Sequence, residues 1–441
     1  MLCAIEVATS QSTDPAVIHP PRRVSLGWTP VQRLPRGLLV ALALTVATAT
    51  PAVVVAQSAG AGQPQVTFVQ VDKAKRLQYL ATATIWSDPG NLTPAALLAG
   101  QPLQDGSGVE AALKGTPFPC TFAQPGKSMG GATKKFACTT STGKTIRVKY
   151  TEPSKTSNRE VFATVAASRL LWALGFTSHP VYPIMLDCMD CPDDPSEGTG
   201  KKAKRSYLAT YQPMFTDPAL VDEDEHDQGW KFGELDAAIS ALPAGELRSR
   251  QRQYFDALQL VGVLLQHGDR KPEQQRLSCH AALKADAGSV RQMGGDSVFV
   301  ENPGATACAS PVVSMQDLGA TFGGAGKRTK GSTAKMNLDE WTDKHVFKGS
   351  GSGGECHGDL TVSMKAGDGS MGDPRIGEAG RKFLSDRLKL LTDDHLKAIF
   401  GAARVNLMTR DDDDPQGSTI DGWVAAFKDK ARQISDRTCA P

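Results

Sequence analysis

"HGDRKPEQQ", residues 267–275, comes directly after "YFDALQLVGVLLQ", residues 254–266. The lead-in is apolar at helical spacing and stops at a polar turn. The nine residues that follow hold one His, two acids, two cations, one Pro and two Gln. These are groups that bind protons, phosphates and metals, and they sit where a buried helix ends. A plain surface loop is one reading of such a stretch. The rest of the chain decides between that reading and a chemical one.

The chain has 441 residues, enough for one large domain or two lobes. Lys plus Arg is 49 and Asp plus Glu is 47, so the net charge is +2. That balance gives no electrostatic argument for nucleic acid or an anionic membrane surface as partner. Near the N-terminus, Arg22, Arg23, Arg33 and Arg36 precede the apolar run "GLLVALALTVATATPAVVVA" at 37–56. A basic leader, an apolar run and a small-residue end have the layout of a secretory signal, with cleavage expected near Ala56–Gln57. An uncleaved anchor is the alternative, and Pro51 and the small-residue end weigh against it. The expectation is a periplasmic or secreted chain with residues 1–56 as leader and signal, and no stable membrane span after cleavage.

Cysteine usage agrees with export. Setting Cys3 aside with the leader leaves Cys120, Cys138, Cys188, Cys191, Cys279, Cys308, Cys356 and Cys439. An even set in an exported chain suggests disulfides. Neighbours suggest 120–138, 188–191, 279–308 and 356–439, although spacing alone does not choose among the possible pairings. "CMDC" at 188–191 also fits a redox or zinc motif, but no second close Cys pair or His partner is evident.

Residues 57–116 are rich in Ala, Gly, Gln and Pro and read as a linker and small extension with one strand-like piece, "QVTFVQV", and "TPAALLAG" readable as a short helix. From 117 the pattern changes. "FPCTFAQ", "KKFACTT" and "TIRVKY" read as strands, separated by the Gly-rich turn "PGKSMGGAT" and the hairpin turn "STGK". A helix follows in "TSNREVFATVAASRLLWALGF", where Ser157 and Glu160 have capping-box spacing and Val161, Val165, Ser168, Leu171 and Trp172 share a face. "HPVYPIML" and "RSYLATYQPMF" are two more strands. Beyond 220 the expectation is mostly helix, interrupted by the strand and turn "VVSMQDLGATFG" at 312–323. The Asp run in "RDDDDPQG" lacks the alternating spacing of a calcium loop and reads as a solvated charge run.

Taken in order, the chain offers strand, Gly-rich turn, two strands with Lys149 near the end of the second, a helix opening at Glu160, two strands, helices, "HGDRKPEQ" and "QDLG". This order resembles the protein-kinase-like fold. The loop is similar to the kinase catalytic loop H-R-D-L-K-P-E-N, matching at His267, Asp269, Lys271, Pro272 and Glu273, and "DLG" at 317–319 is similar to D-F-G. The helix from 157 and the Asp-Arg pair look like the HipA-type, phosphoinositide-kinase-like and secreted kinase-like branches. The resemblance implies an α+β, two-lobed fold with a small β-rich N-lobe at 117–215 and a larger, mostly helical C-lobe at 216–441.

It also implies roles. Asp269 would orient an acceptor hydroxyl and take its proton, and Lys271 would offset charge on the moving phosphoryl group. Lys149 would contact the phosphates of ATP, with Glu160 either holding it or serving only as a helix cap. Gly126, Gly130 and Gly131 would let backbone approach the phosphates. Asp317 would bind Mg²⁺ or Mn²⁺, and Gln274 stands where the family has a metal-binding Asn. Gln carries the same amide oxygen on a longer arm, which leaves room for a different metal preference, adenylylation in place of phosphorylation, or a silent pseudokinase. The acceptor (protein, glycan or small molecule) is open.

Overall fold

The computed structural model describes residues 66–103, 106–123, 133–154, 157–213, 217–222, 229–280, 284–285, 289–294, 297–301, 306–323, 336–349, 353–360, 371–408 and 419–440. The first element is the strand β1 (Val66–Val71). Asp72 ends it and caps helix α1 (Lys73–Thr82), accepting from the Lys75 N–H at 2.8 Å. Thr93 caps the short helix α2 (Pro94–Ala99), whose Pro fits the first turn, and α3 (Glu110–Leu113) follows. So the stretch read from composition as extension and linker is built into the fold. Tyr79 and Leu80 of α1 and Leu97 of α2 are buried in the main core.

Five strands then close a barrel: β2 (Phe118–Ala123), β3 (Lys135–Thr140), β4 (Thr145–Thr151), β5 (Tyr182–Cys191) and β6 (Ala203–Tyr211), in the order β2-β3-β4-β6-β5. The "STGK" turn sets the β3–β4 register, pairing Thr139 with Thr145 and Lys135 with Lys149. Closure comes from parallel pairing of β2 with β5, Cys120 opposite Cys188. Pairing between strands so distant in sequence leaves no local signal, so the β-rich N-lobe expected here carried no sign of closure. Phe118, Phe136, Val148, Tyr150, Ile184, Leu186 and Tyr207 fill the interior.

Between β4 and β5 runs helix α4 (Glu160–Leu174), ended by Gly175 in the left-handed region at φ 87°. The single apolar face expected for it understates its position. It is buried from Glu160 to Leu171, and only Trp172 and Ala173 are partly open before Leu174. A helix apolar nearly all round is a core helix.

The second sheet has six strands. Added to β1 are β7 (Ala219–Asp222) and, after helices α5 (Phe232–Ser240) and α6 (Glu246–Leu264), β8 (Gln275–Cys279). Then come the small pair partner β9 (Lys284–Ala285), β10 (Ser289–Gly294), β11 (Ser297–Glu301), β12 (Thr306–Ala307), which pairs with β9, and β13 (Pro311–Met315). The sheet order is β10-β11-β1-β7-β8-β13, with β1 parallel to both neighbours and β8 antiparallel to β13. The part of the chain beyond 216 therefore supplies five of these six strands, against the expectation of a mostly helical region. The remaining described elements are helix α7 (Leu338–Asp343), the short pair β14 (Cys356–His357) and β15 (Arg375–Ile376), and helices α8 (Glu378–Leu388), α9 (Asp393–Ala402) and α10 (Ile420–Asp436). The fold is mixed α/β.

Four disulfides join Cys120 to Cys138, Cys188 to Cys191, Cys279 to Cys308 and Cys356 to Cys439. "CMDC" is thus paired within itself, and both its cysteines are buried. Among the described residues no helix is long and apolar enough to cross a membrane. The apolar run at 37–56 and the Asp run at 411–414 lie outside the described residues.

Candidate functional site

Strand β4 turns Ile146, Val148 and Tyr150 into the barrel, so period-two alternation puts Lys149 on the outer face. Helix α4 lies against that face and opens with Glu160. The Lys149 Nζ donates to Glu160 Oε2 at 2.9 Å and to Asp317 Oδ1 at 2.6 Å. The Thr133 hydroxyl donates to the other Glu160 oxygen at 2.7 Å. Of the two readings of Glu160, the helix cap is the one that fails: Arg159 occupies the N-cap with no side-chain cap bond, and the Glu160 carboxylate faces Lys149.

Asp317 opens the "DLG" turn just past β13. Its φ is 44°, in the left-handed region that short polar side chains tolerate better than bulky ones. Gly319 completes the turn, packed against Glu160. A Cβ there would lie 2.4 Å from Glu160 Oε2, so only glycine allows this approach without displacement.

The loop after α6 is fastened to the same turn. The Gly268 N–H donates to the Ala320 carbonyl at 2.7 Å, the Gln316 N–H to the Gln274 carbonyl at 2.9 Å, and the Phe322 N–H to the Leu265 carbonyl at 2.8 Å. The β8–β13 ladder, Gln275 opposite Met315, continues this attachment. Within the loop, Lys271 Nζ stands 3.8 Å from Asp269 Oδ1, and Gln274 Nε2 points at Asp269 Oδ2 from 3.4 Å. Buried Arg270 braces the loop from inside, donating to the His267 carbonyl at 3.0 Å and to the Met371 carbonyl.

The electrostatics follow from burial and pairing. Burial opposes the Lys149 charge, but Asp317 and then Glu160 outweigh it and hold the ammonium above its ordinary value. Burial likewise works against the Asp317 carboxylate, and Lys149 outweighs it, keeping that group below the usual carboxylate range. Burial, then the Arg270 guanidinium, push His267 down to about 4, so its imidazole is neutral and structural at ordinary pH. The Glu160 side chain is 6 % exposed, while Asp317 is 36 % exposed. One carboxylate is committed to the lysine, and the other is open on one side.

Of the residues singled out in the sequence, Lys149, Glu160 and Asp317 form one cluster, and Asp269, Lys271 and Gln274 form a second on the loop tied to it. Gly126, Gly130 and Gly131 lie outside the described residues. Three participants were not anticipated. Thr133 follows the Gly-rich turn, Arg270 is the loop's internal brace, and Lys135 stands directly across the ladder from Lys149. Lys135 was legible in principle, because a hairpin folded about Thr142 carries the pairing on to these two lysines.

Among the described residues no group of three or more His, Cys, Asp or Glu is gathered as a metal cage. The donors expected from the sequence are a different set: one Asp317 carboxylate and the Gln274 amide oxygen. Asp317 Oδ2 makes no hydrogen bond to a described residue and the side chain reaches solvent. A carboxylate oxygen left open beside solvent is the kind of hard donor that Mg²⁺ or Mn²⁺ accepts.

No family model matches the chain, and no curated protein sequence does. A solved structure, that of the Helicobacter pylori proinflammatory kinase CtkA, aligns with 73 % of this chain and 96 % of its own at 14 % identity, with a TM-score of 0.35.

Proposed function

We propose that the chain is an exported, two-lobed, kinase-like phosphotransferase that moves a phosphoryl group from ATP to an acceptor hydroxyl with Mg²⁺ or Mn²⁺. The observation that carries this reading is the buried ammonium of Lys149 held between Glu160 on α4 and Asp317 of the "DLG" turn. A lysine fixed by a helix glutamate beside an open aspartate is the arrangement that phosphoryl transfer needs for positioning and charge neutralisation. The four disulfides support an oxidising compartment, periplasmic or extracellular.

Asp317 and Gln274 would hold the metal, which when bound neutralises phosphate charge. Lys149 orients the phosphates nearer the nucleoside. Asp269 holds the acceptor O–H in line and takes its proton as the new O–P bond forms and the bond to ADP breaks. Lys271, 44 % exposed and close to Asp269, swings toward the transferring group. The acceptor class is a protein, glycan or small molecule.

A second reading is a catalytically silent binding module on the same site. The observation favouring it is Gln274, whose amide N–H₂ is turned toward Asp269. One experiment separates the two. Nucleotide binding and turnover are measured on the full chain with Mg²⁺ and with Mn²⁺. Asp317→Ala should lose metal-dependent ATP binding. Asp269→Ala should keep binding and lose transfer by about 10²–10⁴-fold. Wild type that binds ATP but transfers nothing favours the silent module, transfer of AMP changes the reaction, and no nucleotide binding with either metal ends the phosphotransferase reading and leaves a binding module for an envelope ligand or partner.

A further inference from the structure

Lys135 is the residue the proposed reaction does not yet use. It opens β3 just after the Gly-rich turn and lies opposite Lys149 in the β3–β4 ladder. Residues directly opposite in such a ladder share a face, with Cβ atoms about 4.5–5.5 Å apart. Two like charges in that relation destabilise a sheet unless something of opposite sign lies between them. The acids nearby, Glu160 and Asp317, both contact the Lys149 ammonium and reach Lys135 only through space. Lys135 is only partly exposed, and its ammonium makes no hydrogen bond or ion pair to a described residue. A half-buried cation held beside another cation on the outer face of the barrel points to an anion that is supplied from outside the chain.

We propose that Lys135 is a second phosphate-binding cation, which engages the polyphosphate of the nucleotide together with Lys149. This rests on the nucleotide-site reading above and deepens it by assigning the phosphate grip to a pair of lysines on adjacent strands. Burial first, then the Lys149 ammonium, lower the Lys135 pKa, and the Asp317 and Glu160 carboxylates offset this only in part. Arg147, two residues before Lys149 on the same outward-facing register of β4, adds to the positive field on this face. A ligand with several negative charges relieves all three groups at once.

The test measures equilibrium binding of ATP, ADP and adenosine to the full chain with Mg²⁺, for wild type, Lys135→Met and Lys135→Arg, together with the urea midpoint of each. Losing one charge-assisted hydrogen bond should weaken ATP and ADP binding roughly 10- to 100-fold. Adenosine binding should be unchanged, Lys135→Arg should retain most of the affinity, and the urea midpoint of Lys135→Met should be equal to or above that of wild type. Wild-type-like ATP affinity in Lys135→Met overturns the inference while the nucleotide-site reading stands. An equal loss for ATP and adenosine, or a lowered midpoint, assigns Lys135 to the shape of the cleft and also overturns it. A wild type that binds no nucleotide removes the underlying reading, and this inference with it.

Discussion

Replacing Lys149 by Met tests the cluster on which the site is built. The ammonium is 2.9 Å from Glu160 and 2.6 Å from Asp317. At an effective dielectric of about 20, unit charges 2.9 Å apart attract by roughly 6 kcal/mol. Against this stands the desolvation of the ammonium, several kcal/mol, which the substitution recovers. What it does not recover is the desolvation of Glu160, only 6 % exposed and left with the Thr133 hydroxyl as its remaining described partner. Breaking a buried pair from one side usually costs about 3–5 kcal/mol, and that is the loss expected for Lys149→Met. The double variant Lys149→Met with Glu160→Gln removes the stranded charge as well. It should lose under about 2 kcal/mol, because apolar or neutral groups of similar volume replace a buried pair at little net loss. Urea unfolding of wild type, both single variants and the double variant gives the coupling directly. Simple additivity in that cycle would refute the claim that the two groups stabilise each other in the buried state.

Three more outcomes can be checked by unfolding measurements. Gly319→Ala forces a methyl group to 2.4 Å from Glu160 Oε2, and should destabilise by about 1–3 kcal/mol; an unchanged midpoint would mean that the turn can move away. Asp256, on the buried side of α6, has its carboxyl raised from 3.8 to about 6 by burial, although it accepts the Gly377 N–H. Its contribution to stability is therefore full below about 3.8 and lost as pH rises through about 6. Asp256→Asn should gain up to about 3 kcal/mol relative to wild type on going from pH 4 to pH 7.5, and an equal difference at both pH values would contradict this. Loop entropy ranks the disulfides: opening Cys356–Cys439, separation 83, should cost about 4–5 kcal/mol, and opening Cys279–Cys308, separation 29, about 3–4 kcal/mol, with Ser pairs as the variants and the reverse order as the failing result.

Local order in the sequence marked the residues that the structure brings together better than it marked the fold. Lys149, Glu160 and Asp317 are far apart in the chain, yet each sits at a recognisable place: near a strand end, at a helix start, at a turn after an apolar strand. The loop from His267 to Gln275 was marked by the abrupt stop of an apolar helix. Barrel closure was not legible, because the β2–β5 pairing is parallel and joins distant strands with no turn between them. The role of residues 66–99 was hidden for a similar reason. A single strand such as "VTFVQV" shows its periodicity but not its neighbours, and its Ala- and Gly-rich surroundings imitate a linker. The strands between 275 and 315 are short, so the surrounding helices dominated the pattern. Lys135 was passed over because charge on a hairpin reads as solvated until the register is worked through to the opposite strand.

The position of β1 also governs the order in which this protein can be assembled. Val69 lies beside Val300 on one side and Leu220 on the other, so the earliest described strand is an interior member of a sheet whose other strands are made much later. On a chain emerging from its N-terminus, β1 (ending at Val71) must wait for β7, which starts at Ala219, and longer still for β11, which starts at Ser297. Until then its backbone donors and acceptors stay open, as on an unprotected sheet edge. Contacts of such long range make for slow folding. The earliest described strand is thus among the last to be locked.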